Sequence, residues 1–422
     1  MEECALQLTK RLVVLGATSA ILISACSGAT ATSTPTTAPT AAATSAAPSA
    51  AESPAATSAA PSAAASSAAP SASVAQANLK IGVVTDIGTL NDKGYNEYTF
   101  KGAADGAAAI GSAAPQSIVP KDASEYAADI KQFVDQKYDV IVTVGFNLTN
   151  DTVAAAKANP KIHFVGVDQS PVCVDPQGNP DTKFACKGDP KTLLPNYTSL
   201  YFAEDQAGYL AGIVAAYASK NGSIGAIGGT TLCAPCVRYI QGYDMGAKSV
   251  KSDIKVKAAY VTHDFSSAAF NDPAGGKAFA NTFISANKPD VLFQVAGKTG
   301  NGVLEAACQA KIYGIGVDVD QWVSLNAAND PTYGCIITSA EKHVQSATSQ
   351  AIQQIAAGTL QPADVLFNAA NNGIGASDFH DKASMFGPEV TQALNTAMAA
   401  MKAGTLKTCP DTGCGDATVA LP

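Results

Sequence analysis

The sequence predicts an α/β protein built from two doubly wound parallel sheets, and three observations carry that expectation. Short apolar, β-branched runs recur along the chain and are continuous rather than alternating, as strands covered on both faces are. Ala-rich amphipathic stretches lie between them, so strand and helix take turns. Beyond a low-complexity leader roughly 345 of the 422 residues remain, which is large for one core and comfortable for two.

The leader comes first. Lys10 and Arg11 form a basic flank, residues 12–23 are mostly apolar, and the small Ser24 and Ala25 stand just before Cys26. Export signals have this anatomy. The apolar run of about a dozen residues is too short to span a bilayer, which needs roughly 20. The pattern resembles a bacterial lipoprotein signal. That resemblance implies cleavage after residues 1–25, a diacylglycerol with palmitate on Cys26, and a mature chain anchored at the extracytoplasmic face of the cell membrane. An ordinary signal or a single anchor with an incidental cysteine is the alternative. Glu2 and Glu3 are unusual in a basic leader and point to a start further downstream. Residues 26–77 are then almost wholly Ala, Ser, Thr and Pro, with Glu52 the one charged side chain. So little apolar bulk cannot offset chain entropy, and the recurrent prolines oppose helix, so this stretch is expected to be an extended spacer.

In the folded part, strands are expected at residues 80–85, 138–144, 162–167, 223–227, 256–261, 291–295, 312–317 and 335–338. Helices are expected at 97–110, 124–136, 151–158, 203–219 and 242–252, among others. In open α/β sheets a ligand sits at the carboxyl ends of the strands, so the residues following each strand are where function is sought.

The net charge of −8 argues against nucleic acid, because phosphate binding wants a basic surface. Beyond Cys4 and Cys26, eight cysteines remain at 173, 186, 233, 236, 308, 335, 409 and 414. An even number in an exported chain reads as disulfides, although eight allow 105 pairings. Proximity favours Cys173 with Cys186 and Cys409 with Cys414. Cys233-Ala-Pro-Cys236 has redox-motif spacing, but without another oxidoreductase feature it reads as a structural bridge. The four histidines are scattered, so no zinc site and no cofactor is expected.

The first strand runs into Thr85-Asp86-Ile87-Gly88-Thr89-Leu90-Asn91-Asp92-Lys93-Gly94-Tyr95-Asn96. Later come Val144-Gly145-Phe146, Phe202-Ala203-Glu204 through Gly208 and Gly212, Gly228-Gly229 with Val237-Arg238-Tyr239 and Gly242, Ala296-Gly297-Lys298-Thr299-Gly300, Ile315 through Gln321, and Thr338-Ser339 with Lys342. The first motif and six more in this order, spanning nearly all of residues 79–358, resemble the basic membrane protein (BMP) family of ABC-importer solute receptors. The resemblance implies the type I periplasmic-binding-protein fold, with two lobes joined by a three-segment hinge and a nucleoside-like ligand, purine nucleosides first, closed between them. It implies a permease and an ATPase as partners and no covalent chemistry on this chain. The lobes are expected at residues 78–200 plus about 343–360, and 201–342 plus about 361–422. The chain then crosses between them near residues 171–199, after Lys342 and near Gly358.

The residues themselves suit a polar heterocycle bearing a sugar. Asp86 and Asn96 can bond a base edge, and Tyr95 offers a flat face to stack on. By family analogy Asp318 accepts from ribose hydroxyls, Lys342 donates to them, and Gly297 lets the backbone approach the sugar. Phe146, Tyr239 and Phe293 compete for a second aromatic wall. Each has a blander reading: Asp86 capping the following helix, Asp318 with Lys342 as a structural ion pair, Tyr95, Phe146, Tyr239 and Phe293 as core. Where the family carries Asp five residues after the glycine of Gly145-Phe146, this sequence has Asn150, with Asp151 one residue late. A carboxamide donates as well as accepts, so Asn150 is expected to alter base preference.

Enzyme readings find little support. There is no GxSxG elbow, Walker loop, HExxH or GxGxxG after the first strand. Asp86 and Asp92 are too sparse for the calcium site of a nucleoside hydrolase. A sensory receptor of the same fold, reporting the ligand to a membrane signalling partner, stands as the alternative to import.

Overall fold

The computed structural model describes residues 77–169, 171–419 and 421. The expected signal segment, Cys26 and nearly all of the spacer lie outside the described residues. The described chain runs β1 (Ile81–Val84), α1 (Tyr95–Ala109), β2 (Gln116–Ile118), α2 (Tyr126–Asp135), β3 (Val140–Val144), α3 (Thr149–Ala158), β4 (His163–Val167), the short α4 (Pro190–Leu193) and β5 (Tyr197–Phe202). It continues with α5 (Glu204–Ala218), β6 (Ser223–Thr230), α6 (Ala234–Val250), β7 (Lys255–Thr262), α7 (Pro273–Asn287), β8 (Val291–Val295), α8 (Gly297–Gln309), β9 (Tyr313–Asp318), the short α9 (Gln321–Ser324) and β10 (Ile336–Lys342). It closes with α10 (Val344–Ala356), β11 (Asp364–Phe367), β12 (Ile374–Ala376) and α11 (Pro388–Lys402).

The strands form two six-stranded sheets, ordered β11-β5-β4-β3-β1-β2 and β12-β10-β9-β8-β6-β7. Every pair in the first is parallel, and in the second only β10–β12 is antiparallel. The two orders are equivalent: β1 with β3 in one lobe and β6 with β8 in the other mark the point where winding reverses, which is where doubly wound sheets open a crevice. β3 and β8 are buried at all five positions, which explains why four of the five residues in each are apolar. Each such Val, Leu or Phe side chain taken from water contributes about 1.5–3 kcal/mol.

Two crossings fall later than the sequence suggests. The disulfide-stapled stretch before β5 stays in the first lobe, because β5 itself pairs in parallel with β4, and the chain leaves only after Phe202. The third passage is not near Gly358. β11 first pairs with β5, covering an edge that would otherwise be bare, and the chain crosses at 368–373 on its way to β12. Residues 364–367 therefore belong to the first sheet.

The disulfides are Cys173–Cys186, Cys233–Cys236, Cys308–Cys335 and Cys409–Cys414. Helices α5 and α6 pack in backbone contact. A Cβ on Gly208 would collide with the carbonyl oxygen of Tyr239, and one on Gly242 with that of Asp205. This close approach brings Glu204, at the start of α5, against Arg238 on α6. Among the described residues no helix is long and apolar enough to cross a membrane.

Candidate functional site

The carboxyl ends of both sheets face one cleft, a cavity of about 70 Å³ lined from both lobes. β1 delivers Asp86, β3 Gly145 and Phe146, and β4 Asp168. From the second lobe β6 leads to Cys233 and Tyr239, β7 to Phe270, β8 to Gly297, β9 ends on Asp318 and β10 on Lys342.

Asp86 is buried. Its carboxylate accepts from the Tyr126 hydroxyl and from Ile87 N–H at 2.7 Å. Burial pushes its pKa up, and those hydrogen bonds, with one from Asn147, pull it partly back. Gly145 adopts φ +103°, and a Cβ there would strike the Asp86 carboxylate, so only glycine lets β3 end this close. The cap of α1 is Asp92 rather than Asp86. Its carboxylate accepts from Gly94, Asn96 and Glu97 N–H at 2.9, 2.9 and 3.1 Å. That cap sets the first turn of α1, which carries Tyr95 and Asn96 into the cleft. The Tyr95 hydroxyl donates to Val167 O at 3.1 Å. Asn96 Oδ1 is buried with no hydrogen-bond partner among the described residues.

Across the cleft Lys342 joins the lobes. Its ammonium pairs with Asp168, lies 3.4 Å from Asp318 Oδ1 and 3.9 Å from Glu204 Oε1, and sits 4.6 Å over the Tyr95 ring. Burial alone would depress Lys342, but the three carboxylates outweigh it and hold the ammonium charged well above its ordinary range. Burial raises Asp318 and Glu204 in turn, against the pull of Lys342 on both and of Arg238 on Glu204. Three carboxylates thus share two cations. The Tyr239 hydroxyl donates to Asp318 Oδ1 at 3.3 Å.

Asp168 and Asp318 end equivalent strands of the two lobes, and both take the left-handed conformation, φ 60° and 67°. Nearby glutamines brace both strand ends. Gln169 Nε2 donates to Thr143 Oγ1 at 3.0 Å and Gly145 O at 3.1 Å, while Gln321 Oε1 accepts from Val317 N–H at 3.0 Å. At the rim, the loop before α1 rests on the second lobe: Asn301 Nδ2 donates to Asp92 O at 2.9 Å, Ser324 Oγ to Lys93 O at 2.6 Å, and Lys298 Nζ to Thr89 Oγ1 at 3.3 Å. The lobes are drawn together in this structure.

Of the residues singled out from sequence, Asp86, Tyr95, Asn96, Phe146, Tyr239, Gly297, Asp318 and Lys342 line the cleft. Asn150 does not. A 3-10 turn at Phe146–Leu148 precedes α3, so Asn147 faces Asp86 while Asn150 stands exposed in the first turn of the helix. Asp168 and Phe270 line the cleft unforeseen. Asp168 had a readable signal as the first carboxylate after an apolar strand; Phe270, in a loop, had none. Chemically, carboxylates offer acceptors, Lys342 a donor and the rings flat apolar faces. With Asp86, Asp92, Asp168 and Asp318 around one lysine, the cleft suits an uncharged, donor-rich ring compound better than an anion.

A family model described as ABC transporter substrate-binding protein PnrA-like matches residues 79–396. The chain is 33% identical over 264 residues to the ABC transporter nucleoside-binding protein BmpA of Lactococcus lactis subsp. cremoris, covering 58% of this chain and 65% of that protein. It is 29% identical over 270 residues to basic membrane protein A2 of Borrelia garinii subsp. bavariensis, covering 63% and 69%. The solute-binding protein structure of an ABC transporter system from Aeropyrum pernix K1 superposes with a TM-score of 0.66 at 20% identity, over 80% of this chain and 95% of that one, a likeness of fold.

Proposed function

Because the chain belongs to the PnrA-like family of ABC transporter substrate-binding proteins, a family of binding proteins rather than enzymes, we propose that it captures a nucleoside between its two lobes and hands it to a membrane permease driven by an ATPase. The observation that carries this reading is the convergence of aromatic faces with buried carboxylates and one lysine at the carboxyl ends of both sheets. The name of the Lactococcus relative points the same way. In this reading Asp86 and Asn96 take the base edge, and Tyr95 with Phe146, Tyr239 or Phe270 supplies the stacking walls. Asp318 and Lys342 take the ribose hydroxyls, and Gly297 admits the sugar to the backbone. Closure is the output that the permease reads.

Calorimetric titration with adenosine, guanosine, inosine and uridine tests it. At about 100 times Kd a bound nucleoside stabilises the fold by about 2.7 kcal/mol, whereas nucleoside monophosphates, repelled by the acidic cleft, give no shift. No response to any nucleoside sinks the reading. We place the protein on the extracytoplasmic face, held by lipid at Cys26 with residues 26–77 as spacer. Palmitate incorporation that vanishes in Cys26→Ser is the expected result, and labelling that survives the substitution refutes the anchor.

A further inference from the structure

One wall of the cleft is a disulfide. Cys233 and Cys236, with Pro235 between them, line the cavity. None of the other three bridges does. This bridge also closes the shortest span, three residues against 5, 13 and 27, so by loop closure it constrains the unfolded chain least. What it does hold is the start of α6. Cys233 is the N-cap, its sulfur accepts from Cys236 N–H at 3.1 Å, and within the next turn come Arg238, paired with Glu204 at 2.8 Å, and Tyr239, bonded to Asp318. The cysteines are 2% and 6% exposed with the lobes together, so reagent reaches them when the cleft opens.

We infer that Cys233–Cys236 is a redox-modifiable site in the ligand-binding wall: reduction to the dithiol loosens the first turn of α6 and lowers ligand affinity, and bound ligand shields the bridge from reduction. The inference rests on the nucleoside reading only for the identity of that ligand. The electrons come from an extracytoplasmic dithiol, a thioredoxin-fold protein in the cell or dithiothreitol in the tube. A thiolate of the reductant attacks one sulfur, the S–S bond breaks and a mixed disulfide forms. The reductant's second thiol then resolves it. This chain gains two electrons and two protons as two thiols, and the reductant is left as a disulfide. By linkage, weaker ligand binding to the dithiol means that bound ligand shifts the thiol–disulfide equilibrium toward the disulfide by the same factor, while slower opening under ligand is a separate effect of covering the sulfurs.

The test treats the full chain anaerobically with graded dithiothreitol, follows all four bridges by differential alkylation and peptide mass spectrometry, and measures inosine affinity of the same samples by calorimetry. Saturating inosine is expected to slow opening of Cys233–Cys236 about tenfold or more without affecting Cys409–Cys414. Affinity of the dithiol should fall about tenfold and return on reoxidation. The Cys233→Ser/Cys236→Ser double variant should reproduce the weaker binding with native circular dichroism. A ligand-free arm uses Asp168→Asn, which releases the cross-lobe grip on Lys342 and should speed opening of Cys233–Cys236 alone, with Cys308–Cys335 as the control for general unfolding. Absent inosine binding by the oxidised protein would sink the nucleoside reading, and the Asp168→Asn arm would still decide the bridge. Equal inosine affinity of dithiol and disulfide, or an opening rate unmoved by Asp168→Asn, overturns the inference.

Discussion

An ammonium held among three carboxylates makes position 342 the place where binding and stability are hardest to separate. Lys342→Met keeps most of the volume and removes the charge, leaving Asp168, Asp318 and Glu204 with Arg238 as the remaining cation. Breaking a buried pair from one side costs about 3–5 kcal/mol. The pH dependence has a definite sign. Asp318 and Glu204 already sit above their ordinary 3.8 and 4.5 in the fold, and losing Lys342 raises them further. A carboxyl with a raised folded pKa contributes stability that is fully present below its unfolded pKa and is lost as pH rises through the folded value. The deficit of Lys342→Met in urea unfolding should therefore be largest near neutrality and shrink toward pH 4. A deficit constant with pH would show that the carboxylates do not feel the lysine. Most of these residues were readable because they follow apolar strands. Asn150 was put in the cleft by the family's spacing from Gly145, whereas here a 3-10 turn precedes α3, Asn147 bonds Asp86 and Asn150 is exposed.

Among the elements, the seam between α5 and α6 ties cleft geometry to packing. A methyl on Gly242 meets the Asp205 carbonyl, a backbone atom with nowhere to go. Overpacking of this kind costs about 1–3 kcal/mol. Gly242→Ala is expected to lose that much in urea unfolding and to weaken nucleoside binding, since α6 also presents Arg238 and Tyr239. Unchanged affinity alongside lost stability would separate seam from site. The central strands were legible because both of their faces are covered, which leaves runs dominated by Val, Ile and Phe in the sequence. β2, β11 and β12 were not: they are three or four residues long and lie at sheet edges. β5, Tyr-Thr-Ser-Leu-Tyr-Phe, is largely buried, but its polar residues hide it. The start of α6 was expected eight residues late, since Cys233-Ala-Pro-Cys236 reads as a loop until Cys233 is seen to cap it.

For the whole molecule, the late crossings change how the chain must be assembled. β11 completes the first sheet and β12 the second, and both lie within residues 364–376, behind everything they pair with. The chain emerges amino end first, so until nearly the whole sequence has been made the long strands β5 and β10 stand at edges that the short β11 and β12 later cover. Neither lobe can finish early as an independent folding unit. A chain stopped before Asp364 leaves the six-residue β5 and the seven-residue β10 at sheet edges in place of the four-residue β11 and three-residue β12, and a longer bare edge is the better template for pairing with another chain. Such a truncation should sediment as aggregate and be digested readily by protease, whereas one stopped after Lys402 should remain monomeric. If the shorter form proves monomeric and protease-resistant, the edges do not need their last strands. Otherwise the final stretch of synthesis acts as the step that commits both halves at once, and neither half is sound without the other.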